Sequence, residues 1–316
     1  MDLLERVRAT ALLPEGEPVL VMLSGGRDSV CLLDIAARLG PARALHVNHG
    51  LRDDAGVDEA HCRSLCQRLE VPLVVVRAPA REAGGSGADP APATGNVQAW
   101  AREVRYAAAA SNAGADELVA TAHTATDQAE TVLYRLASSP SRRALLGMAP
   151  RDGRVVRPLL GVTRTETAAH CHARRLWWVD DPSNDTDTYA RGRVRGKLMP
   201  ALAAIHPGAE RNIVRAAQLL REEAAVLDEM VDTALDGRDH VGLDHLRILP
   251  PALGRLVLRR LAEAAVGGLC PRAASRYEEV LELGDDAMLD LGDGARAVIC
   301  DGVLSCERTP PLSARL

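Results

Sequence analysis

Phenylalanine is missing from all 316 residues, and Trp and Tyr alone bring the aromatic share to 2%. Cores must therefore be packed from Ala, Val, Leu and Ile at close spacing, and a nucleic-acid channel built mainly on aromatic stacking is not expected. Lysine is nearly as scarce. Lys197 is the single lysine among 38 basic residues, which excludes a G-x-x-x-x-G-K-[ST] phosphate loop and leaves Schiff-base chemistry one unattractive candidate. No apolar run approaches the roughly 20 residues that span a bilayer. Residues 1–13 carry Asp2, Glu5, Arg6 and Arg8 without a signal-peptide core, so a soluble, cytoplasmic protein with no membrane partner is expected. Seven cysteines, an odd number without small-scaffold spacing, fit reduced core thiols. There is no C-x-x-C, and no H-x-E that would accompany P-C-x-x-C in a zinc deaminase.

What is present points to two domains, since 47% of the chain is hydrophobic and the length can bury more than one core. The formal charge of −5 argues against indiscriminate nucleic-acid binding, yet it is unevenly spread. Residues 142–197 hold twelve basic against six acidic residues, whereas 201–316 hold thirteen against nineteen. The middle of the chain can meet phosphates and the end repels them.

The first 200 residues alternate short apolar runs with helical periods, the pattern of parallel βαβ units. Strands are expected at 19–23, 42–47, 71–76 and 118–122, and helices at 29–39, 53–69, 97–110 and 125–137. The stretch 81–96 is rich in Gly, Pro, Ala and Ser and reads as a loop that either closes over a site or merely links. Helical spacing returns at 210–229 and 251–265, followed by three short runs at 287–291, 295–300 and 303–306 separated by Gly/Asp turns. The expected fold class is α/β: a doubly wound, mostly parallel sheet over 1–205, and a mainly helical domain over 206–316 ending in a small β meander.

The strongest local signal is Ser24-Gly25-Gly26-Arg27-Asp28-Ser29, between a strand and a helix. Glycines let the backbone approach oxygens, successive N–H groups form an anion nest, and the helix start adds its positive end. Phosphate binding follows, with the Ser24 and Ser29 hydroxyls as further donors and Asp28 holding a Mg²⁺ that bridges phosphates. Other polar groups fall at equivalent strand ends: His46, Asn48 and His49 after the second strand, Thr121 and His123 after the fourth. In an open parallel sheet these ends share one crevice. Asp127 and Glu130, three apart on a helix, can share a face. Cys62 and Cys66 read as inward-packing rather than zinc-binding.

These residues resemble those of a known family. Ser24–Ser29 is similar to the SGGxDS pyrophosphate loop of the PP-loop ATP pyrophosphatase superfamily, whose fold is adenine nucleotide alpha hydrolase-like. His46-Val47-Asn48-His49-Gly50-Leu51-Arg52 resembles a signature of its tRNA(Ile)-lysidine synthetase branch. In family order follow Ala101–Tyr106, Ala122-His123, Asp127–Thr131, Arg157–Leu160, Asp181–Asn184 and Tyr189–Arg195. The resemblance implies that ATP adenylates C2–O of the wobble cytidine in the CAU anticodon of an isoleucine tRNA, releasing pyrophosphate, and that free L-lysine then attacks C2 and expels AMP. It implies ATP contacts at Ser24, Gly25, Gly26, Arg27, Asp28, Ser29, His49 and His123. Catalytic roles fall to Asp28, Arg102, Asp127 and Glu130, the acid pair holding either the ammonium groups of lysine or Mg²⁺, or accepting a proton. Arg105, Asn184, Arg191, Arg193 and Arg195 are the tRNA-binding candidates. The chain departs from the pattern at Thr126, where an acid is usual, at 136–140, where a glycine loop is usual, and at Gly192, where asparagine is common. Other adenylating PP-loop enzymes and an inactive tRNA- or nucleotide-binding paralogue remain alternatives, and a homodimer is left open. Longer members carry a further C-terminal domain, so recognition is expected to lean on the anticodon stem and residues 142–197.

Overall fold

The computed structural model describes residues 2–50, 55–78, 97–139, 141–179 and 190–310, and the chain divides into two compact units, Met1–Ala217 and Gln218–Leu316. The stretch 81–96 and Asn184 lie outside the described residues. In the first unit α1 (Leu3–Arg8) precedes β1 (Val19–Met22), α2 (Arg27–Leu39), β2 (Ala42–Asn48), α3 (Ala55–Arg68), β3 (Leu73–Arg77), α4 (Val97–Asn112), β4 (Leu118–Ala120) and α5 (Ala125–Ser138). Then come α6 (Arg142–Leu145), β5 (Arg151–Asp152), β6 (Val155–Val156), α7 (Arg164–Ala173), α8 (Ala190–Arg193), a π-helical turn at Val194–Leu198 and α9 (Met199–Ile205).

The sheet order is β3-β2-β1-β4-β6-β5, parallel throughout except for β5, which runs antiparallel to β6. The chain moves outward from β1 through β2 to β3, then returns to the other side of β1 as β4. Such a reversal leaves a crevice outside the carboxyl ends of the two strands, where open α/β sheets take their ligands. Successive side chains of β1 alternate between two cores. Val19 and Val21 pack with Leu32 and Ile35 of α2, Cys62 and Leu65 of α3 and Cys171 of α7, whereas Leu20 joins Leu45, Val119 and the α4 alanines Ala108 and Ala109. Both faces are therefore covered, as a doubly wound sheet requires. Cys31, Cys62, Cys66 and Cys171 are free, buried thiols of this core.

In the second unit the long α10 (Ala209–Leu235), which contains the division between the units, leads to β7 (His240–Gly242), α11 (Leu243–Ile248), α12 (Pro251–Val266), a 3₁₀ turn at Ala273–Arg276 and α13 (Tyr277–Leu281). The expected meander forms as β8 (Met288–Gly292), β9 (Ala295–Cys300) and β10 (Val303–Arg308), and β7 adds a fourth strand against β10. Val257, Leu258 and Leu261 of α12 pack with Tyr277, Leu291, Ile299 and Leu304. Among the described residues no helix is long and apolar enough to cross a membrane.

Gly254 is fixed by this packing. A Cβ there would lie 2.3 Å from the phenol oxygen of Tyr277, which is 2% exposed and donates to Leu246 O at 3.2 Å. Gly254→Ala is expected to lower stability by about 1–2 kcal/mol, because overpacking outweighs the gain in helix propensity. A urea midpoint at or above that of the parent chain would refute this packing.

Candidate active site

Local geometry first makes an anion nest. After β1, Gly25 takes φ +86°, where a Cβ would also crowd Cys62 Sγ at 3.3 Å, and Gly26 starts α2. Ser29 Oγ donates to Gly26 O at 2.8 Å and accepts Ser24 N–H at 3.2 Å, and Ser24 Oγ accepts Gly26 N–H at 3.3 Å. The two hydroxyls brace the loop upon itself. The amides of Gly25, Arg27 and Asp28 have no partner among the described residues, so donors remain for an anion at a helix start.

The nest opens into a cavity of about 950 Å³. Among its lining residues are Ser24, Gly26, Arg27, Asp28 and Ser29 from the loop, Arg102, Arg105 and Tyr106 from α4, Thr121, His123 and Asp127 beyond β4, Arg164 from α7, and Arg195. Five arginines face three aspartates there, a lining suited to a polyanion. Arg102 lies 4.7 Å over the Tyr106 ring, one helical turn on.

The acid pair is well engaged. Asp127 closes the N-terminal cap of α5: its Oδ2 accepts Thr124 N–H at 2.9 Å and the Thr124 hydroxyl at 2.8 Å, and its Oδ1 accepts Arg164 Nη2 at 2.8 Å. Burial alone would raise its pKa, but Arg164 and the Thr124 donors hold it below the usual carboxylate range. That makes it a poor proton acceptor and a good anchor for a cation. Glu130, 2% exposed, is gripped by Arg195, Nε to Oε1 at 2.7 Å and Nη2 to Oε2 at 2.9 Å. Arg164 Nη1 lies 3.6 Å from the same Oε1. Both acids do share one face, and Arg164 marks it.

Asp28 is oriented by the protein. Its Oδ1 accepts the Thr167 hydroxyl and Arg27 Nε, the latter at 3.2 Å, while Oδ2 has no hydrogen bond among the described residues and only Arg164 Nε at 3.6 Å. One oxygen is held and the other is available, which fits a Mg²⁺ completed by phosphate oxygens; the described residues contain no cluster of three metal-ligating side chains.

The histidines differ. His123 Nδ1 pairs with the Thr121 hydroxyl at 2.9 Å, and burial pushes its pKa down to about 4, so it is neutral at pH 7. His49 is also pushed down to about 4 by burial, but it packs edge-on to Trp100 with ring centroids 5.7 Å apart and is not among the cavity-lining residues. His46 Nδ1 meets Leu23 O at 2.9 Å and is a core histidine.

The basic stretch fans out, because α8 and the π turn wind 190–198 helically. Arg195 turns into the cavity, whereas Arg191 and Arg193 stay exposed. Arg135 of α5 belongs with them: burial lowers its pKa, and the charges of Arg191 and Arg102 lower it further. Thr126, at a position where the family pattern has an acid, donates to Glu210 at 2.8 Å. Arg164 and Thr167 escaped the sequence reading. A signal was present in Thr163-x-x-Glu166, a capping box whose reciprocal bonds start α7.

Comparison with known proteins fixes the class. The PP-loop domain family matches residues 4–202, so this sheet and nest are those of a PP-loop protein. The tRNA(Ile)-lysidine synthase of Salinispora arenicola is 40% identical over 252 residues, covering 74% of this chain and 71% of that protein, and that of Pseudomonas aeruginosa is 36% identical over 291 residues, covering 84% and 63%. The chain belongs to the tRNA(Ile)-lysidine synthase family. It spans about half the length of some curated relatives, 50% for that of Xanthomonas axonopodis. Among solved structures, the U34-tRNA thiolase NcsA from Methanococcus maripaludis shares the fold at TM-score 0.55 and 20% identity, over 69% of this chain and 77% of that one.

Proposed function

We propose that the protein is an ATP-dependent ligase that joins lysine to C2 of the wobble cytidine in the CAU anticodon of an isoleucine tRNA. Cytidine O2 attacks the α-phosphorus of ATP and pyrophosphate leaves; the lysine amine then attacks C2, loses a proton, and AMP departs with the former O2. The observation that carries the reading is one cavity in which an anion nest, five arginines and Asp127 meet, with the buried Glu130 behind Arg164 and Arg195. The nest amides and Ser24–Ser29 would hold the leaving pyrophosphate, and Arg102 and Arg105 would face the reacting phosphate. Asp127 and Glu130 would hold the cationic amine. Asp28 would hold Mg²⁺, which when bound neutralises phosphate charge. A soluble, cytoplasmic setting suits such a reaction.

The exposed Arg191 and Arg193, with Arg135 beside them, would take the RNA backbone. Reversing both, Arg191→Glu with Arg193→Glu, is expected to weaken tRNA binding roughly 10–100-fold and to reduce the slope of log affinity against log salt by about two. An unchanged slope would remove these residues from the RNA face. Reading the second unit as an accessory RNA-binding domain rests on the family alone.

The test is to incubate protein, Mg²⁺, ATP, unmodified CAU isoleucine tRNA and radiolabelled lysine, and to follow both pyrophosphate and labelled RNA. Both signals establish the ligase. Pyrophosphate without labelled RNA indicates an adenylating relative with another nucleophile. Neither signal, with ATP still bound, indicates an inactive paralogue.

A further inference from the structure

We propose that Arg164 couples the two small substrates: its guanidinium holds the acid pair until nucleotide phosphate draws it away, so that nucleotide binding opens the site for the cationic amine. This rests on the function proposed above, because it takes ATP and an amine as co-substrates.

Arg164 is the first residue of α7, and the backbone beneath it is fixed. Thr163 N–H and hydroxyl donate to Glu166 Oε2 at 2.8 and 2.9 Å, and Glu166 N–H donates back at 3.3 Å. The long side chain above this cap is one-quarter exposed in the cavity. It is shared among three carboxylates on two helices, at 2.8 Å from Asp127 but 3.6 Å from both Asp28 and Glu130. Only one of these is a hydrogen-bond distance. A guanidinium so divided is open to capture by a better partner, and a phosphate that accepts two parallel N–H bonds is such a partner.

The consequences differ for each acid. Glu130 keeps Arg195 if Arg164 leaves, and Asp127 Oδ2 keeps Thr124. Asp127 Oδ1 alone loses its hydrogen-bond donor. Departure of Arg164 therefore leaves a carboxylate still fixed by Thr124, with one oxygen open to the cavity beside a second acid, where an ammonium group can take the place of the guanidinium. While Arg164 stays, an incoming amine must displace a cation of equal charge. An ammonium placed there would in turn repel Arg164 toward phosphate, so the coupling is reciprocal.

The experiment measures L-lysine binding to the full chain by calorimetry, with and without the non-hydrolysable analogue α,β-methylene-ATP. In the parent chain the analogue is expected to tighten lysine binding at least about tenfold. In Arg164→Met, lysine is expected to bind without nucleotide more tightly than it does to the parent chain, with the dependence on analogue reduced below twofold. Arg164→Gln, which also removes the charge, is expected to behave alike and serves if the Met variant does not fold. A residue that merely braces α7 would weaken binding of both ligands and could not tighten either. Coupling that persists in both variants overturns the proposal, as does independent binding of the two ligands to the parent chain, which leaves the ligase reading standing. Failure of lysine to bind in any state overturns the proposal and the ligase reading together.

Discussion

Asp28→Asn is expected to lower the rate of pyrophosphate release at saturating ATP by about 10²–10³-fold, the usual cost of removing one fixed electrostatic group from a reacting centre. The substitution is chosen for what it preserves. An amide oxygen at Oδ1 still accepts the Thr167 hydroxyl and Arg27 Nε, so α2 and α7 stay joined and the thermal midpoint should move little. What disappears is the negative charge at Oδ2, the oxygen without a hydrogen bond among the described residues. ATP affinity should change less than tenfold, because the nest amides and arginines remain, and so the loss should fall on kcat rather than on KM. A variant within threefold of the parent rate would show that Asp28 only ties two helices together.

That ambiguity is the reason the site was half legible. The nest could be read because glycine, serine and a strand-to-helix change stand within six consecutive residues, and local order produces local structure. The pairing of Asp127 with Glu130 could be read from helical spacing. Arg164 could not, because its partners lie at 28, 127 and 130, and no periodicity links them. The same holds for Thr126 with Glu210. Of the basic residues 191–195, which the resemblance offers to tRNA as one set, a helical turn passing into a π turn takes Arg195 into the cavity and onto Glu130. In the sheet, β1 to β4 announced themselves as apolar runs, but β5 and β6 have two residues each, too few to show any period. β6 adds to the edge of β4, and β5 folds back against β6.

The second large effect concerns stability, at Asp34. This α2 carboxylate is 1% exposed and accepts His170 Nε2 at 2.9 Å and Arg174 Nη2 at 3.2 Å, both from the C-terminal end of α7. Burial would raise its pKa, but His170 and Arg174 pull it below the usual range, so the ionised form stabilises the fold. Asp34→Ala is expected to cost about 2–4 kcal/mol, since it removes charge-assisted hydrogen bonds and leaves donors without an acceptor; Arg174, partly exposed, can turn to water and limits the loss. Asp34→Asn isolates the charge. Because the folded pKa is depressed, the carboxylate's contribution is complete above the unfolded value near pH 4 and fades as pH falls through the folded one. The gap in urea midpoint between parent and Asp34→Asn should therefore be present at about pH 5 and close as pH falls below about 4. A gap that widens below about pH 4 would mean that the neutral acid is the stabilising form. The α2–α7 junction matters beyond stability, because the same two helices carry Asp28 and Arg164 into the cavity. Loosening it at Asp34 should reduce pyrophosphate release even at temperatures where the fold persists.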